Sequence, residues 1–171
     1  PETIPEPFPE ERPESYVQRV TRASGTSFYY AFLTLPRPRR DAIFTVYAFC
    51  RAVDCAVDEA ADHAQAVERL DHWREQLDRA FEGGASEPIA IRVGEVAGPF
   101  HLPRRYFEEV IEGVAYDLEP RRFAAFEDLG RYCDLVAGAV GKLCVRIFGH
   151  EEPWADEYAI NLGRALQITN I

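Results

Sequence analysis

The sequence predicts an all-α fold. Apolar residues recur at steps of three and four along most of the chain, and no segment shows the period-two alternation of a half-buried strand. Pro and Gly fall at intervals that cut the chain into helix-length pieces. With 171 residues and 47% hydrophobic content there is enough for one core and not obviously for two. The expected organisation is a disordered Pro/Glu-rich tail over 1–14 and a single helical domain over 15–171.

The tail alternates proline with acids and has too little apolar content to fold alone. Residues 14–23 follow as a short amphipathic helix with Tyr16, Val17 and Val20 inward and Gly25 at its end. Ser27 is placed as the N-cap of the stretch SFYYAFLTLP, in which Phe28 and Phe32 lie one turn apart. Core packing accounts for aromatics at that spacing, and so does a wall for a large apolar ligand. Pro38, suited to a first turn, opens a helix of five to six turns in the segment 38–62, with Ile43, Val46, Cys50, Val53 and Val57 as its apolar stripe. Residues 64–81 form a helix with Val67, Leu70, Trp73, Leu77 and Phe81 inward, and 82–87, holding Gly83 and Gly84, a loop. Pro88 and Pro103 begin helices running to about 97 and 118. One long helix spans 126–148 and a final one begins near 153, ending at Ile171 without a stop signal. Gly138 and Gly141, each costing about 1 kcal/mol in a helix interior, imply close helix packing or space kept for a ligand.

Charge and composition narrow the function. Nineteen Lys and Arg against 29 Asp and Glu give a net charge of −10, which argues against nucleic acid as a partner and against simple adhesion to anionic lipid. Arg51, Asp54, Asp134, Lys142 and Arg146 interrupt the most apolar stretches, so none can cross a bilayer, and no signal peptide opens the chain. Cys50, Cys55, Cys133 and Cys144 lack CxxC spacing and read as reduced, mostly buried thiols of a cytoplasmic protein. The chain has no Met, so it reads as a processed or edited version of a longer product.

One face of the 38–62 helix departs from plain core. Tyr47, Arg51, Asp54 and Asp58 follow at steps of four, three and four, so a cation and two carboxylates lie in a row. Aspartates one turn apart repel, and a hard cation such as Mg²⁺, which takes one or two carboxylates and completes its shell with water and phosphate, would relieve them. The pair alone equally fits the solvated end of an acidic helix, together with Glu59 and Asp62. Asp117, near the carboxyl end of its helix, is poorly matched to the helix dipole. A functional role would offset this, as would pairing with Arg121 or Arg122.

The segments SFYYAFLTLP, YAFCRAVDCAVDE, YCDLVAGAVG and LGRALQITNI, in this order, resemble the squalene and phytoene synthase family of head-to-head prenyl transferases, from about Ser24 to the last residue. SFYYAF and RIFG are most similar to the bacterial presqualene diphosphate and squalene synthases of hopanoid pathways, with the phytoene synthases of carotenoid pathways next. The resemblance implies the amino-terminal portion of a terpenoid-synthase-like helical bundle. In it, two aspartate-rich motifs hold Mg²⁺ on prenyl diphosphates across an apolar cavity. Asp54 and Asp58 match the first motif, Arg51 a diphosphate-binding arginine, Tyr47 a tyrosine on the same face and Ser27 a residue near the diphosphate. Phe28 and Phe32 match cavity aromatics, and Tyr132, Val136, Ala137 and Gly141 the cavity side of the glycine-containing helix. Gln167 and Asn170 match the polar pair introducing the second motif, with Asn170 a metal or phosphate ligand beside Asp54 and Asp58.

The implied reaction joins two farnesyl diphosphates to presqualene diphosphate or squalene, the latter with NADPH; geranylgeranyl diphosphate to phytoene is the alternative. Greasy substrates leave room for peripheral association with the inner membrane. The sequence departs from the pattern at Cys55, often an aspartate or another polar residue, and at Asp134, often aromatic or basic. The second motif is expected a couple of residues beyond Ile171; without it the chain is expected to be inactive. A non-catalytic family member acting in assembly is therefore the rival. A head-to-tail synthase fits less well, because Cys55 follows Asp54 where adjacent aspartates are usual.

Overall fold

Proline sets the start of several helices in the computed structural model, which describes residues 3–118, 123, 125–150, 152 and 154–170, Asn170 by its backbone alone. Helix α1 (Pro13–Ala23) opens on Pro13, and Gly25, at φ +65°, turns the chain after it. Helix α2 (Phe28–Leu33) is short, and α3 (Arg37–Asp58) carries Pro38 in its first turn. Then come α4 (His63–Glu82), α5 (Pro88–Ala97) and α6 (Arg104–Ala115), the last ending in a 3₁₀ turn, Tyr116–Leu118. Helix α7 (Phe126–Cys133) passes through a π-helical segment, Asp134–Gly138, into α8 (Ala139–Phe148), and α9 (Ala155–Asn170) follows. The described residues contain no strand.

Helix α3 is central: α1, α4, α5, α6 and α8 all pack on it. Its buried surface is wider than the predicted stripe, because Ala42, Phe44, Ala48, Phe49, Ala52, Cys55 and Ala56 are buried beside Ile43, Val46 and Val53. Small residues let neighbouring helices come close, while Phe49 meets Phe107 of α6 edge-on at 5.2 Å and Trp73 of α4 at 5.9 Å. Gln76, buried on α4, is fully used: its carbonyl accepts from the Ser86 and Glu87 amides (3.0 and 3.1 Å) and its amide donates to the Ser86 hydroxyl (3.0 Å). It thereby pins the loop that follows Gly83.

Four expectations change. Asp62 belongs to the next helix, as the N-cap of α4, accepting from the Gln65 amide at 2.9 Å. Ser27 does not cap α2; its backbone is already helical, and the Phe28 amide donates to Thr26 Oγ1 (3.3 Å) instead. The helix expected over 126–148 keeps those limits but widens midway into the π segment, where Asp134 forms a two-pronged ion pair with Arg164 of α9 (2.5 and 2.6 Å). The stretch read as a disordered tail is extended but held on α1, with Ile4 packed against the core.

The glycines of α8 and α9 serve packing. A Cβ at Gly163 would lie 2.7 Å from the Ala137 carbonyl oxygen, and one at Gly141 2.8 Å from that of Ala159. Gly163→Ala is therefore predicted to destabilise by about 1–3 kcal/mol through overpacking, whereas Gly130→Ala, with nothing within 4 Å of its Cβ, should be neutral or stabilising by up to about 1 kcal/mol. Denaturant melts of the two variants check this ordering.

Candidate functional site

Because α3 is buried around most of its perimeter, the row Tyr47, Arg51, Asp54 and Asp58 occupies its remaining side. Tyr47 is half-buried, its hydroxyl hydrogen-bonded to Ser24 Oγ at 3.0 Å, while the Ser24 hydroxyl donates to the Thr21 carbonyl at 2.8 Å. Phe32 meets the Tyr47 ring at 6.3 Å and stacks on Phe28 at 6.2 Å, so these aromatics continue the row. Phe28 itself is 58% exposed, and Ser27 is exposed beside it. Farther along α3, Arg51 and Asp54 are half-buried and Asp58, the last residue of the helix, is exposed.

The electrostatics single out Asp54. Burial pushes its carboxyl up from 3.8 to about 6; the charges of Asp58 and Asp117 add to the rise and Arg51 opposes it. Asp117, on the 3₁₀ turn, is itself raised by burial, and accepts a hydrogen bond from the Tyr132 hydroxyl (3.2 Å). Burial and Asp117 push the Tyr132 phenol up to about 12, and the nearby Gln167 of α9 works in the opposite direction. A chain of polar groups thus runs from Asp54 and Asp58 through Asp117 and Tyr132 to Gln167, joining the ends of α3, α6, α7 and α9.

The other expected site residues divide. Val136 and Ala137 lie in the π segment, where Val136 packs on Gly113 of α6 and the Ala137 carbonyl on Gly163. Gly141 faces the backbone of α9 at Ala159, a packing position. The Asn170 side chain, and Arg121 and Arg122 as partners for Asp117, lie outside the described residues. Cys55, the departure within the first motif, is buried and lines a cavity with Gln65, Arg69, His72 and Trp73 of α4. Burial raises its thiol to about 11, so it is a neutral packing group. Sequence reasoning left Asp117 out of the site, although its misfit with the helix dipole pointed to it, and missed Ser24, which no local pattern marks.

Among the described residues no group of three or more His, Cys, Asp or Glu is arranged to hold a metal ion. The donor set at Asp54 and Asp58 nonetheless suits Mg²⁺, which takes one or two carboxylates from protein: their oxygens are hard, and burial first, then the Asp58 charge, disfavours the Asp54 carboxylate that a cation would stabilise. Since folding raises the Asp54 pKa, this group's stabilising contribution is full below 3.8 and is lost as pH rises through about 6. Asp54→Asn should therefore gain thermal stability over the parent between about pH 4 and pH 6, with a constant difference above. Melting curves across that window test it, equal pH profiles for the two proteins being the contrary result.

The profile of the squalene/phytoene synthase family matches residues 21–171. The chain is 45% identical over 150 residues to a presqualene diphosphate synthase of Rhodopseudomonas palustris, covering 87% of this chain and 53% of that protein. It is 34% identical over 178 residues to a phytoene synthase of Arthrospira platensis, covering 95% and 58%. It superposes on a dehydrosqualene synthase solved with a ligand at TM-score 0.82 (29% identity, 92% of this chain and 55% of that one). On a squalene synthase of Alicyclobacillus acidocaldarius the TM-score is 0.84 (33%, 92% and 59%). The chain spans a little over half the length of these relatives. A profile match over most of the sequence and a shared helical frame lead to one conclusion: the chain belongs to the squalene/phytoene synthase family.

Proposed function

We propose that the chain provides the first metal-binding face and part of the cavity wall for a head-to-head condensation of two prenyl diphosphates. The carrying observation is the row from Phe28 and Phe32 through Tyr47 and Arg51 to Asp54 and Asp58, which sets an apolar surface beside an anion- and cation-binding one. Arg51 holds diphosphate through its guanidinium, and Tyr47, oriented by Ser24, offers a hydroxyl beside it. Asp54 and Asp58, with Asn170, would hold Mg²⁺, which neutralises phosphate charge and acts as a Lewis acid when bound.

In the reaction, a C–O bond of one prenyl diphosphate breaks, diphosphate leaves, and the freed carbon bonds to both carbons of the other substrate's double bond with loss of a proton. The product is a cyclopropylcarbinyl diphosphate. Phe28, Phe32 and Tyr132 shield positive charge on the prenyl fragment from water and stabilise it by cation–π attraction, about 2 kcal/mol where desolvated. Farnesyl diphosphate is the preferred substrate in this reading, supported by the higher identity to a presqualene diphosphate synthase; identity to phytoene synthases supports geranylgeranyl diphosphate as the second. Reduction to squalene would draw on NADPH, for which no residue of the chain is assigned. Among the described residues no helix is long and apolar enough to cross a membrane, and contact with a membrane surface stays a proposal.

Calorimetric titration with a non-hydrolysable farnesyl thiodiphosphate tests the assignment. Binding should require Mg²⁺ and weaken at least about tenfold in Asp54→Asn or Asp58→Asn, a loss of about 1.4 kcal/mol, with the fold retained. Binding that ignores both Mg²⁺ and the substitutions would count against it. The geranylgeranyl analogue in the same titration separates the two substrates, the tighter ligand naming the chain length.

A further inference from the structure

The stretch before α1 has no part in the chemistry above, yet one side chain holds it firmly. The Arg19 guanidinium on α1 donates from Nε to Glu11 Oε1 (3.0 Å), and from Nη2 to Glu11 Oε2 (2.6 Å) and to the Glu6 carbonyl (2.8 Å). It also lies 4.2 Å from the centre of the Phe8 ring and 5.3 Å from that of Tyr16. The Phe8 amide donates back to Glu11 Oε2 at 3.1 Å, closing the loop. Four contacts on one guanidinium fix residues 6–11 against the helix.

Ahead of that anchor the chain reaches the candidate site. Thr3, Ile4 and Pro5 line one side of a narrow crevice whose other side is Val20, Ala23 and Ser24 at the end of α1 and Arg51 of α3, with no room for a water molecule between them. Ile4 also packs on the core. Ser24 is the residue hydrogen-bonded to the Tyr47 hydroxyl, so the segment shares its crevice with Arg51 and with the residue that orients Tyr47. Thr3, Ile4 and Pro5 carry no charge. A carboxylate there would compete with an incoming anion, whereas neutral groups exclude water from one side of the guanidinium and strengthen its field toward the other.

We infer that residues 3–5 form a dry wall beside Arg51, positioned by Arg19, and that this wall tightens the hold of the site on diphosphate; the inference rests on Arg51 being a diphosphate ligand. Arg19 and Ile4 are positioning residues, acting through Arg51 and touching no substrate.

The test is calorimetric titration of the full chain with inorganic pyrophosphate and Mg²⁺. Arg51→Gln should weaken binding about tenfold or more, and Ile4→Ser and Arg19→Gln each about three- to tenfold. The losses should be non-additive with Arg51→Gln, because a wall without its arginine has nothing to strengthen. A wall that merely supported the fold would lower the melting temperature without this coupling. Should Arg19→Gln fail to fold, Ile4→Ser decides alone. Unchanged or tighter binding in Ile4→Ser, with Arg51→Gln still weakened, overturns the wall and leaves the diphosphate assignment standing. Failure of Arg51→Gln to weaken binding, or of the parent chain to bind pyrophosphate, removes the assignment and the wall with it.

Discussion

The burial of one carboxylate beside two others is the constraint on which the site depends. Asp54 is held where burial, Asp58 and Asp117 all disfavour its charge, and Arg51 offsets them only in part. The bundle could avoid this by turning α3, but α3 is committed: Phe44, Phe49, Ala48, Ala52 and Ala56 lock it against its neighbours, and rotation would expose them. The packing of the core thus imposes the charge problem, and a cation together with a phosphate ester is the natural complement.

The second half of the site is set by backbone proximity. Gly163 and Gly141 let α9 lie directly on the π segment and α8, and the Asp134–Arg164 ion pair locks the register between them. One turn beyond Arg164, Gln167 then meets Tyr132, which is tied to Asp117. Asp134, unusual against the family pattern, has a physical role here: it is the anchor for α9. From the π segment Val136 packs on Gly113 of α6 while Asp134 reaches across to Arg164.

Much of this frame could be read from periodicity. Helices at 14–23, 64–81 and 88–97 appear within a residue or two of their expected limits, because their apolar spacing and their prolines and glycines are local signals. The row on α3 was equally readable, since steps of three and four need no tertiary information. What could not be read depends on contacts between distant segments. Residues 3–12 look disordered by composition, but Arg19 supplies the partners that composition cannot show. The π segment has no periodic signature, the role of Cys55 depends on which way α3 faces, and the link between Asp117 and Tyr132 joins residues whose spacing carries no pattern.

The central claim is that burial and the neighbouring carboxylates together disfavour the charged form of Asp54, which a divalent cation would restore. Carbon-13 NMR titration of the aspartate carboxyls, with Asp54 assigned by comparison with Asp54→Asn, measures it directly. Titration of Asp54 near 6, moving lower when Mg²⁺ and pyrophosphate are added, is the predicted result. Titration near the ordinary 3.8, unmoved by either addition, would contradict the account.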